Sequence, residues 1–173
     1  MPNNFDDPSI PGWFNFHQVY ERMVESSPSG ASFVEVGAWL GRSTAYLAKK
    51  IRASGKQISL HVVDTWKGSP HEPVQQAEVI RHGGDLFPAF RENMRRVGVF
   101  DIIKPIQQPS VQAARGFNNG SLDFVYLDAA HDPASVAADP VGVTLTYETV
   151  DWTPVDGAHL TEAIYEEYGL QSI

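Results

Sequence analysis

Ser32–Thr44 reads S-F-V-E-V-G-A-W-L-G-R-S-T, and this stretch decides the fold. Phe33, Val34 and Val36 are apolar and aromatic or β-branched, which predicts a short buried strand over Ser32–Val36. Gly37 and Gly41 then permit a tight turn and a close approach of backbone to a ligand. From Arg42 the period changes. Thr44, Leu47, Ala48 and Ile51 fall at i, i+3, i+4 and i+7, one face of an amphipathic helix. Strand, glycine turn and helix start together offer N–H groups and a positive dipole end to a ligand at the carboxyl edge of a sheet. Glu35 near the strand's end would repel a phosphate. It suits a ligand with hydroxyls and a positive charge.

Downstream, Ser54-Gly55 breaks the helix and Gln57–Asp64 reads as a second strand. It ends on Asp64, 27 residues past Gly37. A carboxylate at that place can accept both hydroxyls of a ribose, or it can cap the following turn in solvent. Thr65–Asp85 is a long connection in which 67–85 is a candidate lid, with a short helix over Val74–Arg81. His71 and His82 stand in it, and lone loop histidines are more often simply exposed. Leu86–Val97 predicts a helix closed by Gly98, and Asp101–Ile106 a strand that Pro105 places at an edge. Val111–Phe117 predicts a short helix. The near-continuous apolar run of Leu122–Asp128 marks a central parallel strand.

Upstream, residues 1–12 form an irregular arm with three prolines, and Trp13–Glu25 predicts a helix whose aromatics pack on the sheet. Alternating helices and strands imply an α/β domain spanning residues 1–173. Its core would be a doubly wound, mostly parallel Rossmann-like sheet with helices on both faces. The net charge of −8 argues against nucleic acid or an anionic membrane as the main partner. Without cysteine there is neither a disulfide framework nor a zinc–thiolate site. The N-terminus lacks a signal-peptide pattern and no apolar run reaches membrane length, so the expected location is cytoplasmic.

Five segments carry a family resemblance: G-W-F at 12–14, F-V-E-V-G-A-W-L-G-R-S-T at 33–44, V-D-T-W-K-G at 63–68, F-R-E-N-M at 90–94 and S-L-D-F-V-Y-L-D-A-A-H at 121–131. With them the chain resembles class I S-adenosylmethionine-dependent methyltransferases. Within these it is most similar to the small O-methyltransferase-like group of sugar and antibiotic pathways and of phages. The resemblance implies S-adenosylmethionine as cofactor, with Glu35, Gly37 and Gly41 along its methionine and ribose part. Arg42 and Ser43 would sit beside it at the helix start, and Asp64 would bind the ribose hydroxyls. Thr65 and Trp66 would flank the adenine, with Gln108 and Ser110 closing over it. The implied acceptor is a small hydroxylated molecule such as a sugar or glycoside. Asp128 and His131 are the catalytic candidates. The acceptor hydroxyl must lose its proton, either to a base such as His131 or with the help of a divalent cation. The resemblance makes that cation Mg2+, with Asp128 as first ligand and Glu148 as second, and with Asp151 and Asp156 as competitors for the second place.

After Asp128-Ala129-Ala130-His131 the chain departs from the pattern. Asp139-Pro140 joins the start of a helix directly to the next turn, Val141–Tyr147 becomes the fifth strand, and His159–Tyr168 the final helix. The closing strand pair has no counterpart, so the fifth strand would be an open edge, which implies a homodimer or a rearranged C-terminus. Two rivals follow. One is a catalytically idle S-adenosylmethionine-binding module derived by truncation. The other, a nicotinamide-dependent dehydrogenase, is disfavoured by a G-x-x-x-G turn and by Glu35.

Overall fold

The computed structural model describes residues 5–70 and 72–128. Helix α1 (His17–Ser26) leads into strand β1 (Ser32–Val36), helix α2 (Arg42–Ser54) and strand β2 (Ser59–Asp64). Helices α3 (Pro73–Arg81) and α4 (Phe87–Arg96) follow, then strand β3 (Ile103–Gln107), helix α5 (Ser110–Ala114) and strand β4 (Phe124–Leu127). The four strands are parallel in the order β3-β2-β1-β4. Parallel neighbours need crossovers, and α2, α4 and α5 supply them, giving the α/β Rossmann-like arrangement.

Alternation along β1 divides the core. Phe33 and Glu35 face a large cluster with Leu60, Val62 and Phe124 of the sheet, Tyr20 and Val24 of α1, Leu47 and Ile51 of α2, and Phe90 and Met94 of α4. Val34 and Val36 face a smaller cluster with Val63, Ile106, Val125 and Ala113 of α5. Both faces of β1 are covered, so after Ser32 its run is apolar except at Glu35.

Three expectations shift. The helix predicted from Trp13 starts at His17. The preceding aromatics are drawn off by tertiary contacts: Phe14 is buried between His17, Tyr20 and Tyr46, and Gly12 is tied to Arg42. The strand predicted from Asp101 begins at Ile103, because Phe100–Ile102 takes a 3-10 turn. The predicted Val111–Phe117 helix is the shorter Ser110–Ala114. β4 pairs with β1 on one side, and the fifth strand expected to make it central lies outside the described residues. The predicted fifth strand and final helix lie outside the described residues.

Residues 5–13 form an arm strapped across α2. Arg42 donates two hydrogen bonds to Asp6, Nε to Oδ1 at 2.9 Å and Nη2 to Oδ2 at 2.7 Å. A third runs from Arg42 Nη1 to the Gly12 carbonyl at 2.9 Å. Lys49 Nζ bonds the Phe5 carbonyl at 3.2 Å, Arg96 reaches Asp7, and Ile10 is fully buried. The guanidinium beside Asp6 holds its carboxyl below the usual range.

Candidate functional site

Strand order reverses between β1 and β4, and in such sheets the crevice at the carboxyl ends is where ligands bind. A cleft of about 680 Å³ opens there. One wall is Gly37, Ala38 and Trp39 after β1, with Arg42 and Ser43 at the start of α2. The next is Asp64 and Thr65 after β2, followed by Gln108 and Ser110 after β3, with Asp128 after β4. The structure thus brings together eight of the predicted site residues: Gly37, Arg42, Ser43, Asp64, Thr65, Gln108, Ser110 and Asp128.

Asp64 fixes this geometry. Its Oδ2 accepts the backbone N–H groups of Ala38 at 2.7 Å and Trp39 at 2.9 Å, and its Oδ1 accepts the N–H of Trp66 at 2.7 Å. The end of β2 therefore shapes the turn that follows β1. Gly37 sits in that turn at φ 89°, where a side chain would be strained, and donates its N–H to Val63 at 2.9 Å.

Three predicted residues stand elsewhere. Glu35 is 0% exposed beneath the turn rather than along the cleft, because β1 alternation points it at the large core cluster. Tyr20 Oη donates to its Oε1 at 2.8 Å, Thr44 Oγ1 donates to Oε2, and Ser43 also hydrogen-bonds it. Burial pushes its pKa up to about 7 against the pull of those three donors, with the charge of Asp128 adding to the rise. Gly41, at φ 93°, makes room for α4 rather than for a ligand. A Cβ there would lie 2.5 Å from Met94 Cε and 2.9 Å from the Phe90 ring. Trp66 is 1% exposed, packed at a tilt against Phe87 and Phe90, with its indole N–H donated to the Trp39 carbonyl at 3.1 Å. It braces the turn from inside the core.

His82 hydrogen-bonds Glu78 at 3.1 Å away from the cleft lining. His71, His131 and Glu148 lie outside the described residues. Among the described residues no group of three or more His, Asp or Glu side chains is placed to hold a metal ion. Two further stretches line the cleft: Pro11–Trp13 of the arm, to which the residue patterns gave no role, and Gly68, Ser69, Pro70, Glu72 and Gln75 around the start of α3, within the connection expected to act as a lid. The G-W-F at 12–14 was the available signal for the first. Ser69 is held by its N–H to Gln75 Oε1 at 2.7 Å and by its carbonyl to Gln76 at 3.0 Å, so this connection is folded onto α3.

Residues 34–144 match the family model described as a methyltransferase domain. Among curated proteins none matches the chain. Among solved structures the chain is similar to cofactor-bound Rv0187 from MTB at 21% identity, over 72% of this chain and 54% of that one, with a TM-score of 0.45. It is also similar to a candidate rRNA-methylase from Clostridium thermocellum at 12% identity, over 75% and 63% of the two chains, with a TM-score of 0.46. The chain's matches therefore span between 54% and 63% of the length of those two proteins.

Proposed function

The chain belongs to the methyltransferase-domain family, and on that premise we propose that it moves a methyl group from S-adenosylmethionine to a hydroxyl of a small molecule, a sugar or glycoside. The observation that carries this reading is the cleft at the strand-order reversal, walled by the Gly37–Trp39 turn, the start of α2, Asp64 and Asp128. In it Gly37, Arg42 and Ser43 would lie along the methionine end, and Thr65, Gln108 and Ser110 around the adenine. Asp64 already accepts three N–H groups. An ionised carboxylate has about four acceptor sites, so one remains for a ribose hydroxyl rather than two.

Bound there, the cofactor supplies a methyl group on a cationic sulfur that leaves as a neutral thioether. Asp128, at the end of β4, takes the acceptor's hydroxyl proton on a carboxylate oxygen as the O–CH3 bond forms. His131 belongs to the same reading as an alternative base, and Mg2+ on Asp128 and Glu148 as an aid to ionisation; no step above depends on either. The reading also takes the partner to be a small molecule rather than nucleic acid, the setting to be cytoplasmic and the assembly a homodimer.

The test is calorimetric titration with S-adenosylhomocysteine, with and without Mg2+, on the protein and on Asp64→Asn. Micromolar binding that weakens about tenfold in the variant is expected, since bonds to a charged acceptor carry about 1.5–3 kcal/mol. Absence of binding in both conditions would overturn the proposal.

A further inference from the structure

We infer that a side pocket between the arm and α3 is a subsite for an apolar, ring-sized group carried by the methyl acceptor, an inference resting on the methyl-transfer reading above. The pocket measures about 200 Å³ and is walled by Pro11, Trp13, Trp39, Leu40 and Val74, with Glu78 as its charged lining residue. Three elements build it. Pro11–Trp13 comes from the arm, Trp39 and Leu40 from the turn after β1, and Val74 and Glu78 from one face of α3, four residues apart. A cavity of about 150 Å³ already holds a benzene ring, so the space suits a phenyl or cyclohexyl group.

Its surface has little to offer a polar group. No hydroxyl or basic side chain lines it, whereas Arg42, Ser43, Thr65, Ser69 and Ser110 all line the main cleft. Glu78 is engaged on its own helix, by Arg81 at Oε2 and by His82 at Oε1. Backbone groups around the pocket are engaged as well. The Gly12 carbonyl accepts from Arg42, the Leu40 carbonyl from Asn93 at 3.0 Å and the Trp39 carbonyl from the Trp66 indole, while Trp39 donates its N–H to Asp64. A polar group entering would shed its water for few partners, and an apolar one would gain from the transfer.

The walls are fixed in advance. Trp13 is 72% and Val74 65% exposed, yet neither sits on a loose segment. Trp13 stands between Gly12, bonded to Arg42, and the buried Phe14. The start of α3 is held by Gln75 on the Ser69 N–H and by Gln76 on the Ser69 carbonyl. Large apolar side chains left in water on anchored segments, around a concave space, mark a ligand site. The pocket is continuous with the main cleft through Pro11, Gly12, Trp13 and Trp39. It shares none of Thr65, Gln108 and Ser110, where the adenine would lie. Trp39 belongs instead to the turn between Gly37 and Arg42, the methionine end. A group seated in the pocket therefore hangs from a molecule beside the cofactor's sulfur, which is the acceptor's place.

The experiment is saturation-transfer NMR on the protein loaded with S-adenosylhomocysteine. The probes are benzyl alcohol and cyclohexylmethanol. Glycerol, 4-(hydroxymethyl)benzoate and 4-(aminomethyl)benzyl alcohol are the contrasts. Both apolar alcohols should bind through their ring protons, with interligand Overhauser contacts to the methylene groups beside the sulfur, and the contrasts should be silent. Val74→Asp, at an exposed helix position, should weaken benzyl alcohol at least tenfold, and Trp13→Ala should do the same from the arm. Val74→Ile should keep it within about threefold, and all three variants should hold S-adenosylhomocysteine within about threefold of the parent. No binding of either ring by the loaded protein would overturn this inference and leave the methyl-transfer reading intact. Failure to load would overturn both. The inference would also fall if the rings competed with S-adenosylhomocysteine or contacted its adenine protons, if the aminomethyl probe bound more tightly than benzyl alcohol, or if Val74→Asp left ring binding unchanged.

Discussion

Glu35 is a carboxyl group buried with three hydroxyl partners, and its protonation is coupled to folding. Its pKa of about 7 in the fold stands above the ordinary 4.5, so the native state binds the proton more tightly than the unfolded chain. Its contribution is therefore fully present below pH 4.5 and lost as pH rises through 7. A rise of this size corresponds to about 3 kcal/mol. Urea unfolding at pH 5 and pH 8 should show the parent losing about 2.5 kcal/mol more between the two than Glu35→Gln, which has no proton to lose. Equal losses would show that the carboxyl titrates normally. Gly41 gives a second expectation at this scale. Gly41→Ala combines φ 93° with a Cβ pressed into the Phe90 ring, so unfolding should become easier by about 2–3 kcal/mol. A glycine that merely faced a ligand would cost affinity and leave the urea midpoint in place.

Among the elements, the arm is the one whose position rests on charge. Asp6 and Arg42 are only about a quarter exposed, and their two-bond pairing fixes the stretch that leads to Trp13. Asp6→Asn should cost about 1 kcal/mol or less in global stability, since a partly solvated pair is worth little. Proteolysis within residues 5–13 should nevertheless quicken several-fold, because local opening is governed by local contacts. Unchanged cleavage would mean that Ile10 and Phe14 hold the arm alone. This element also marks where reading the sequence stops. The strands, α2, α4 and the short helix of α3 are written in local periodicity, and their bounds fall within a few residues of expectation. The Asp6–Arg42 pair joins positions 36 apart, and no local pattern announces it. Gly41 and Trp66 were misplaced for a related reason. A turn glycine looks the same in sequence whether it admits a ligand or the Phe90 ring, and a tryptophan after a strand looks the same facing the cleft or the core. Glu35 differs: period-2 alternation from Phe33 already puts it on the packed face, but the apolar neighbours on both faces of β1 hide which face is which.

For the whole molecule the net charge of −8 comes from the acidic residues between Asp132 and Glu167, outside the described residues, whereas the described cleft lining sets Asp64, Glu72 and Asp128 against Arg42, which Asp6 already pairs. Such a surface attracts cations over distances comparable to the Debye length, about 10 Å at 0.1 M salt. S-adenosylmethionine carries one net positive charge through its sulfonium; S-adenosylhomocysteine, with a neutral thioether, carries none. The two differ otherwise by one methyl group, so their comparison isolates charge. Raising ionic strength from about 20 to 500 mM should weaken S-adenosylmethionine binding several-fold while changing S-adenosylhomocysteine less than about twofold. The same field bears on turnover. Loss of the sulfonium charge on transfer lowers the attraction for the product, so low salt should favour exchange of product for fresh cofactor, and product inhibition should deepen as salt rises. Parallel salt dependence of the two ligands in calorimetry would show that the acidic groups do not act on the bound sulfur, and the electrostatic account of the cleft would fall while its shape stood.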